Sequence, residues 1–116
     1  MYLVRTIACI LVVFLSQNTF AATALWNAKV TRIMTDETLY GGCAAYLSVV
    51  SEDQGLACTS KFVTMDCLGS TRSKSIGDRF LQAAQLALIT DRTVKIKADD
   101  SRIINNMCVV TRIDNY

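Results

Sequence analysis

The sequence predicts a mainly β domain with one helix, stapled by two disulfides and preceded by an export signal. Three observations carry this. Segments of near-alternating apolar and polar residues fill most of the chain, a single stretch switches to helical period, and four cysteines follow an apolar leader in a chain without histidine.

The leader comes first. Arg5 supplies a positive n-region, residues 7–15 form a nearly unbroken apolar run, and Thr19-Phe20-Ala21 carries the small residues that a signal peptidase reads. Residues 1–21 are therefore expected to be a signal peptide, with a cut after Ala24 as the alternative. The run is shorter than the roughly 20 apolar residues that span a bilayer, so no membrane insertion is expected. Cys9 lies within this run behind Thr6-Ile7-Ala8, which is a poor lipobox. The expected location is the periplasm or the exterior.

Residues 22–116 then make a single domain whose core is small enough to need staples. Removing Arg5 leaves 11 basic residues against 10 acidic ones, and the basic residues are scattered singly. Near-neutral, dispersed charge argues against a nucleic-acid partner, whose binders carry clustered basic stripes. Cys43, Cys58, Cys67 and Cys108 form an even set, read as two disulfides with three possible connectivities. A zinc site would want close cysteine pairs and usually histidine, and this chain has neither.

Residues 26–34 read as the first strand, with Trp26, Ala28 and Val30 on one face; Ile33 and Met34 break the alternation and predict a bulge. Asp36-Glu37-Thr38 is a polar loop. Residues 40–51 give a second strand, with Cys43, Ala45, Leu47 and Val49 on one face and Ala44, Tyr46, Ser48 and Val50 on the other. After the turn at 52–55, residues 56–68 are a third strand centred on Phe62 and Val63. Ser75-Ile76-Gly77-Asp78 has the form of a capping box, and Ile76, Phe80, Ala83, Ala84 and Ala87 recur at helical spacing through Ile89. Its alanine-rich stripe suits close packing on a sheet. Residues 93–98 alternate cleanly as a fourth strand, 99–106 read as a polar loop, and 107–114 as a fifth strand.

Three strands, a helix and two strands are the chain order of the OB-fold, a five-stranded Greek-key barrel. Trp26 opening the first strand, Cys43 in the second, Cys58 opening the third, and Phe80-Leu81-Gln82-Ala83-Ala84-Gln85-Leu86-Ala87 leading into Thr93-Val94-Lys95-Ile96 carry a resemblance. The chain resembles small secreted OB-fold proteins related to the B subunits of subtilase-cytotoxin and pertussis-like toxins. The resemblance implies a non-enzymatic domain, often a ring-forming homo-oligomer, that recognises glycans. It also implies a Cys43 to Cys58 bridge, leaving Cys67 with Cys108. No glycan-binding residue is carried over from it.

Catalysis finds little support in the residues: there is no histidine to act as a base near neutrality and no glycine-rich phosphate loop, and oxidised cysteines are not nucleophiles. No cofactor is expected. Asp36-Glu37 and Asp99-Asp100 could pair their carboxylates across two loops, for acid-base work or to hold calcium, although acidic residues in turns usually serve local hydrogen bonding. An OB-fold binds through its second and third strands and the loops joining strands one to two and four to five. That placement selects Asp36, Glu37, Tyr40, Tyr46, Arg102, Asn105 and Asn106 as candidate ligand-binding residues. Their mixed donors and acceptors suit sugar hydroxyls, and an outward Tyr46 would supply a stacking face. Two expectations stand: an exported module for a glycan or small ligand, or a periplasmic protein-interaction module such as an inhibitor or an accessory subunit of an envelope complex.

Overall fold

A computed structural model of the chain describes residues 21–115; the expected signal peptide lies, but for Ala21, outside them. Five strands and one helix follow one another as β1 (Thr23–Thr35), β2 (Cys43–Leu47), β3 (Phe62–Thr64), α1 (Lys74–Thr90), β4 (Thr93–Ile104) and β5 (Met107–Asn115), with short 3-10 turns at Tyr40–Gly42 and Glu52–Gln54. The spatial order departs from the chain order. Around the sheet the strands run β1-β2-β3-β5-β4, and β4 pairs back onto β1 to close the ring. All pairings are antiparallel except β3 with β5, a parallel seam of two residue pairs, Val63 with Cys108 and Thr64 with Val109.

Alternation puts one face of each strand into the interior. Trp26, Ala28 and Val30 of β1, Ala45 and Leu47 of β2, and Val94, Ile96 and Ala98 of β4 are buried in one cluster with Val63 and Val110. Trp26 also satisfies its indole N–H on the Val49 carbonyl at 3.1 Å, so the largest side chain of the core leaves no orphan donor.

The helix closes the ring's interior from one side. It packs mainly on β1 and β5, burying Gly77, Ala84 and Ala87, with Phe80 and Leu81 partly buried against the core. A side chain on Gly77 would meet the backbone carbonyls of Met65 and Asp66, so glycine there sets how closely α1 approaches the end of β3. The expected Ser75 to Asp78 capping box does not form: the helix begins at Lys74 behind Ser73, which makes no side-chain cap bond, and Ser75 and Asp78 lie within it. The C-terminus is closed by Asp91 in the left-handed region, whose N–H bonds the carbonyls of Ala87 and Leu88.

The disulfides join Cys43 to Cys67 and Cys58 to Cys108, which corrects the pairing of Cys43 with Cys58 and of Cys67 with Cys108. Strand register gives the reason. The Met65 N–H donates to the Cys43 carbonyl, which brings Cys67 alongside at a Cα separation of 5.6 Å. Val63 sits beside Cys108 across the parallel seam, and the chain leading to it passes Cys58 at 5.4 Å from Cys108. Both separations suit a bridge.

Several details of the elements also differ from expectation, among them the second strand, which covers Cys43–Leu47 where 40–51 is expected because Tyr40–Gly42 forms a 3-10 turn. The bulge of β1 falls between Val30 and Arg32, ahead of Ile33. The third strand shrinks to Phe62–Thr64, because β3 pairs over only three rows with β2 and two with β5. The expected 99–106 loop is largely strand: β4 continues to Ile104 through an irregularity between Asp99 and Ile103, and only Asn105-Asn106 turns, both at positive φ.

Candidate functional site

The outer face of β1, β2 and β3 carries one cross-strand row. Arg32 pairs with Tyr46, and Tyr46 with Phe62, so the three side chains stand side by side on neighbouring strands. Tyr46 and Phe62 meet edge to face with ring centroids 5.1 Å apart, and the Arg32 guanidinium lies 5.9 Å from the Phe62 centroid. Both rings are half-buried and Arg32 is exposed. Such a row presents apolar π-faces beside a five-donor cation.

One step along the same face, Thr64 is fully buried beneath the Tyr40–Gly42 turn. Its hydroxyl donates to the carbonyls of Tyr40 and Cys43. Gly41, at φ 67°, passes so close to Thr64 that a Cβ would collide with its hydroxyl, so the turn lies directly on the strand pair. The Tyr40 N–H in turn donates to Asn105 Oδ1 at 3.0 Å, and the Ser60 N–H donates to the Asn106 carbonyl at 2.9 Å. The β1–β2 loop, the β4–β5 turn and the approach to β3 are thus tied together at one edge of the aromatic row.

The candidate residues divide accordingly. Tyr40, Asn105 and Asn106 are brought together, and Tyr46 stands on the adjoining face. Asp36 caps its own loop, accepting from the N–H groups of Thr38 at 2.9 Å and Leu39 at 2.7 Å, which holds its carboxyl below the ordinary range. Glu37 is exposed beside it and bonds no described residue. Asp99 accepts from the N–H and hydroxyl of Ser101, while Asp100 ties Ala22 N–H at 2.7 Å and Ala57 N–H at 2.9 Å. Three of the four carboxylates considered for calcium are therefore already engaged, Asp36 and Asp99 within their own loops and Asp100 by distant backbone N–H groups, and no group of three or more His, Cys, Asp or Glu is placed to hold a metal ion among the described residues. Arg102 stands apart, in a cleft beside the start of α1 together with Arg72.

Sequence reasoning missed Phe62 and Arg32. Phe62 was legible as a strand aromatic but not as Tyr46's neighbour, since that neighbourhood depends on register. Arg32 joins the row only because the bulge ahead of it resets which β1 residues face outward.

No helix among the described residues is long and apolar enough to cross a membrane. Comparison with protein-family models, curated proteins and solved structures gives no match to this chain.

Proposed function

We propose that the protein is an exported, non-enzymatic binding module of OB-like barrel architecture that recognises a glycan through the outer face of β1–β3. The observation that carries this is the Arg32, Tyr46 and Phe62 row bordered by the Tyr40 and Asn105 junction. A sugar presents an apolar C–H face and a rim of hydroxyls. Half-exposed aromatic rings receive the face, and a guanidinium with loop amides and backbone groups receives the rim. The ring order β1-β2-β3-β5-β4 supports the OB-like reading, in which this face and these two loops form the recognition surface. Two disulfides support folding in an oxidising compartment.

A glycan array probed with the oxidised protein tests this. Saturable retention of a defined glycan is expected, and Tyr46→Ala should weaken it about three- to tenfold, the worth of one aromatic stacking contact. Retention of nothing, or of the same glycan equally well by Tyr46→Ala, would sink the reading.

A second reading, a protein-interaction module, draws on the C-terminal half of α1, where Ile89 is 82% exposed and Leu86 54% exposed. It predicts that Ile89→Lys abolishes assembly with an envelope protein or with further copies of the chain while glycan retention persists. Light scattering and co-purification read out that difference.

A further inference from the structure

A cleft of about 470 Å³ opens between the start of α1 and the β4–β5 hairpin, and it shares no lining residue with the aromatic row. Arg72 enters it from the loop before α1, Ile76 and Phe80 from the first turns of the helix, and Asp99 and Arg102 from β4. Two cations and one anion line it, leaving one net positive charge.

Arg72 is the unusual member. It is partly buried, and its guanidinium stacks 5.2 Å from the Phe80 centroid. Beyond that stack it makes no hydrogen bond and no ion pair with a described residue. Burial lowers its pKa, while the negative charges of Asp66 and Asp99 act in the opposite sense; the group stays cationic at any physiological pH. Neither carboxylate closes on it. Asp66 is held by four hydrogen bonds from Ser70 and Thr71, and Asp99 by two from Ser101. Arg102, exposed on the opposite wall, likewise has no partner among the described residues. A guanidinium partly withdrawn from water with its fork of donors unmatched is a site prepared for a planar anion.

The rest of the lining narrows the ligand. Thr71, Ser101 and Thr111 donate their hydroxyl protons to Asp66, Asp99 and the Lys97 carbonyl, so what they offer the cleft is acceptor lone pairs. Asp99 penalises a second negative charge on the ligand. Ile76, Phe80 and Val109 give the remaining wall apolar character. The geometry points to this cleft as a binding site for a small organic monoanion, with a carboxylate on the Arg72 and Arg102 guanidiniums and an apolar body against Ile76 and Val109.

The test is a titration of the ¹⁵N-labelled oxidised protein with benzoate, followed by amide and guanidinium NMR shifts, with methyl benzoate and inorganic phosphate in parallel. Benzoate is expected to give saturable shifts at Arg72, Ser101, Arg102 and Thr111. Arg102→Gln, a change at an exposed position, should weaken benzoate about tenfold, the loss of one charge-assisted contact. Arg72→Gln should do the same with the remaining spectrum in place. Tyr46→Ala should leave benzoate binding unchanged, which separates this site from the proposed glycan face. Absence of saturable shifts in the cleft, equal affinity for methyl benzoate, tighter binding of phosphate, or an unaltered benzoate affinity in Arg102→Gln would each overturn the proposal.

Discussion

Asp66 is fully buried, yet its backbone is left-handed at φ 57° and its carboxylate accepts from the N–H and hydroxyl of both Ser70 and Thr71. Burial pushes its pKa up, and the hydrogen bonds from Thr71 and Ser70 outweigh it, so the net shift is downward. A carboxyl more acidic in the folded than in the unfolded state stabilises the fold fully above its unfolded value, near pH 4, and loses that contribution as the pH falls through the lower folded value. The acid limb of a urea-midpoint profile should therefore steepen below about pH 4 and flatten in Asp66→Asn. That variant should also lose about 1–3 kcal/mol at neutral pH, because the amide replaces one acceptor oxygen by a donor facing two donors. Nothing in the sequence marked this residue, since a strand reading of 56–68 gives Asp66 no special place. Tyr46 was different: alternation alone set it opposite Cys43, Ala45 and Leu47, and that is where it stands. Period two is legible locally, whereas a carboxylate's four donors come from a turn whose geometry no spacing encodes.

Among the elements, α1 is legible in the sequence nearly to its ends, because its alanine stripe serves a purely local requirement: small side chains where a helix meets a sheet. The same stripe misplaced its first turn, where Ile76 is 39% exposed and Gly77 takes the buried position instead. Gly77→Ala sets two effects against each other. Alanine favours a helix interior by about 1 kcal/mol over glycine. The added methyl, however, would lie 2.5 Å from the Asp66 carbonyl oxygen and 2.9 Å from that of Met65, both backbone atoms fixed by β3 and its loop. Overpacking against backbone costs about 1–3 kcal/mol and should win. Thermal melts should show Gly77→Ala destabilised, and an unchanged or raised midpoint would mean the helix can slide outward at no cost. Strand β3 is shorter than its composition predicts for a complementary reason. Residues 56–68 have strand-like composition, but only Phe62–Thr64 pair with β2 and only Val63 and Thr64 also pair with β5; Leu56 and Cys58 are buried without being strand. Burial and strand pairing leave the same compositional trace.

At the scale of the molecule, two bridges hold the ring where strand pairing is thinnest. Cys58–Cys108 spans 50 residues and lies beside the two-pair parallel seam, while Cys43–Cys67 spans 24. Closing the longer loop restrains the unfolded chain more, by about 0.6 kcal/mol on chain entropy alone, within a typical 2–4 kcal/mol per bridge. Replacing Cys58 and Cys108 together by serine should therefore lower stability more than replacing Cys43 and Cys67, as read from denaturant midpoints of the two double variants. Connectivity was the least legible feature of the sequence. Four cysteines specify three arrangements, and only the register of β2, β3 and β5 selects among them. The parallel seam also imposes an order in time. Strands β1 and β2 can pair as soon as both exist, but the flank of β3 left free by β2 has no neighbour until β5, the fifth in chain order, and β4 completes β1 only after the helix. High contact order of this kind slows folding and makes it a late, single event. Until β5 is in place the interior lacks its last wall, and Cys58 has no native partner thiol beside it.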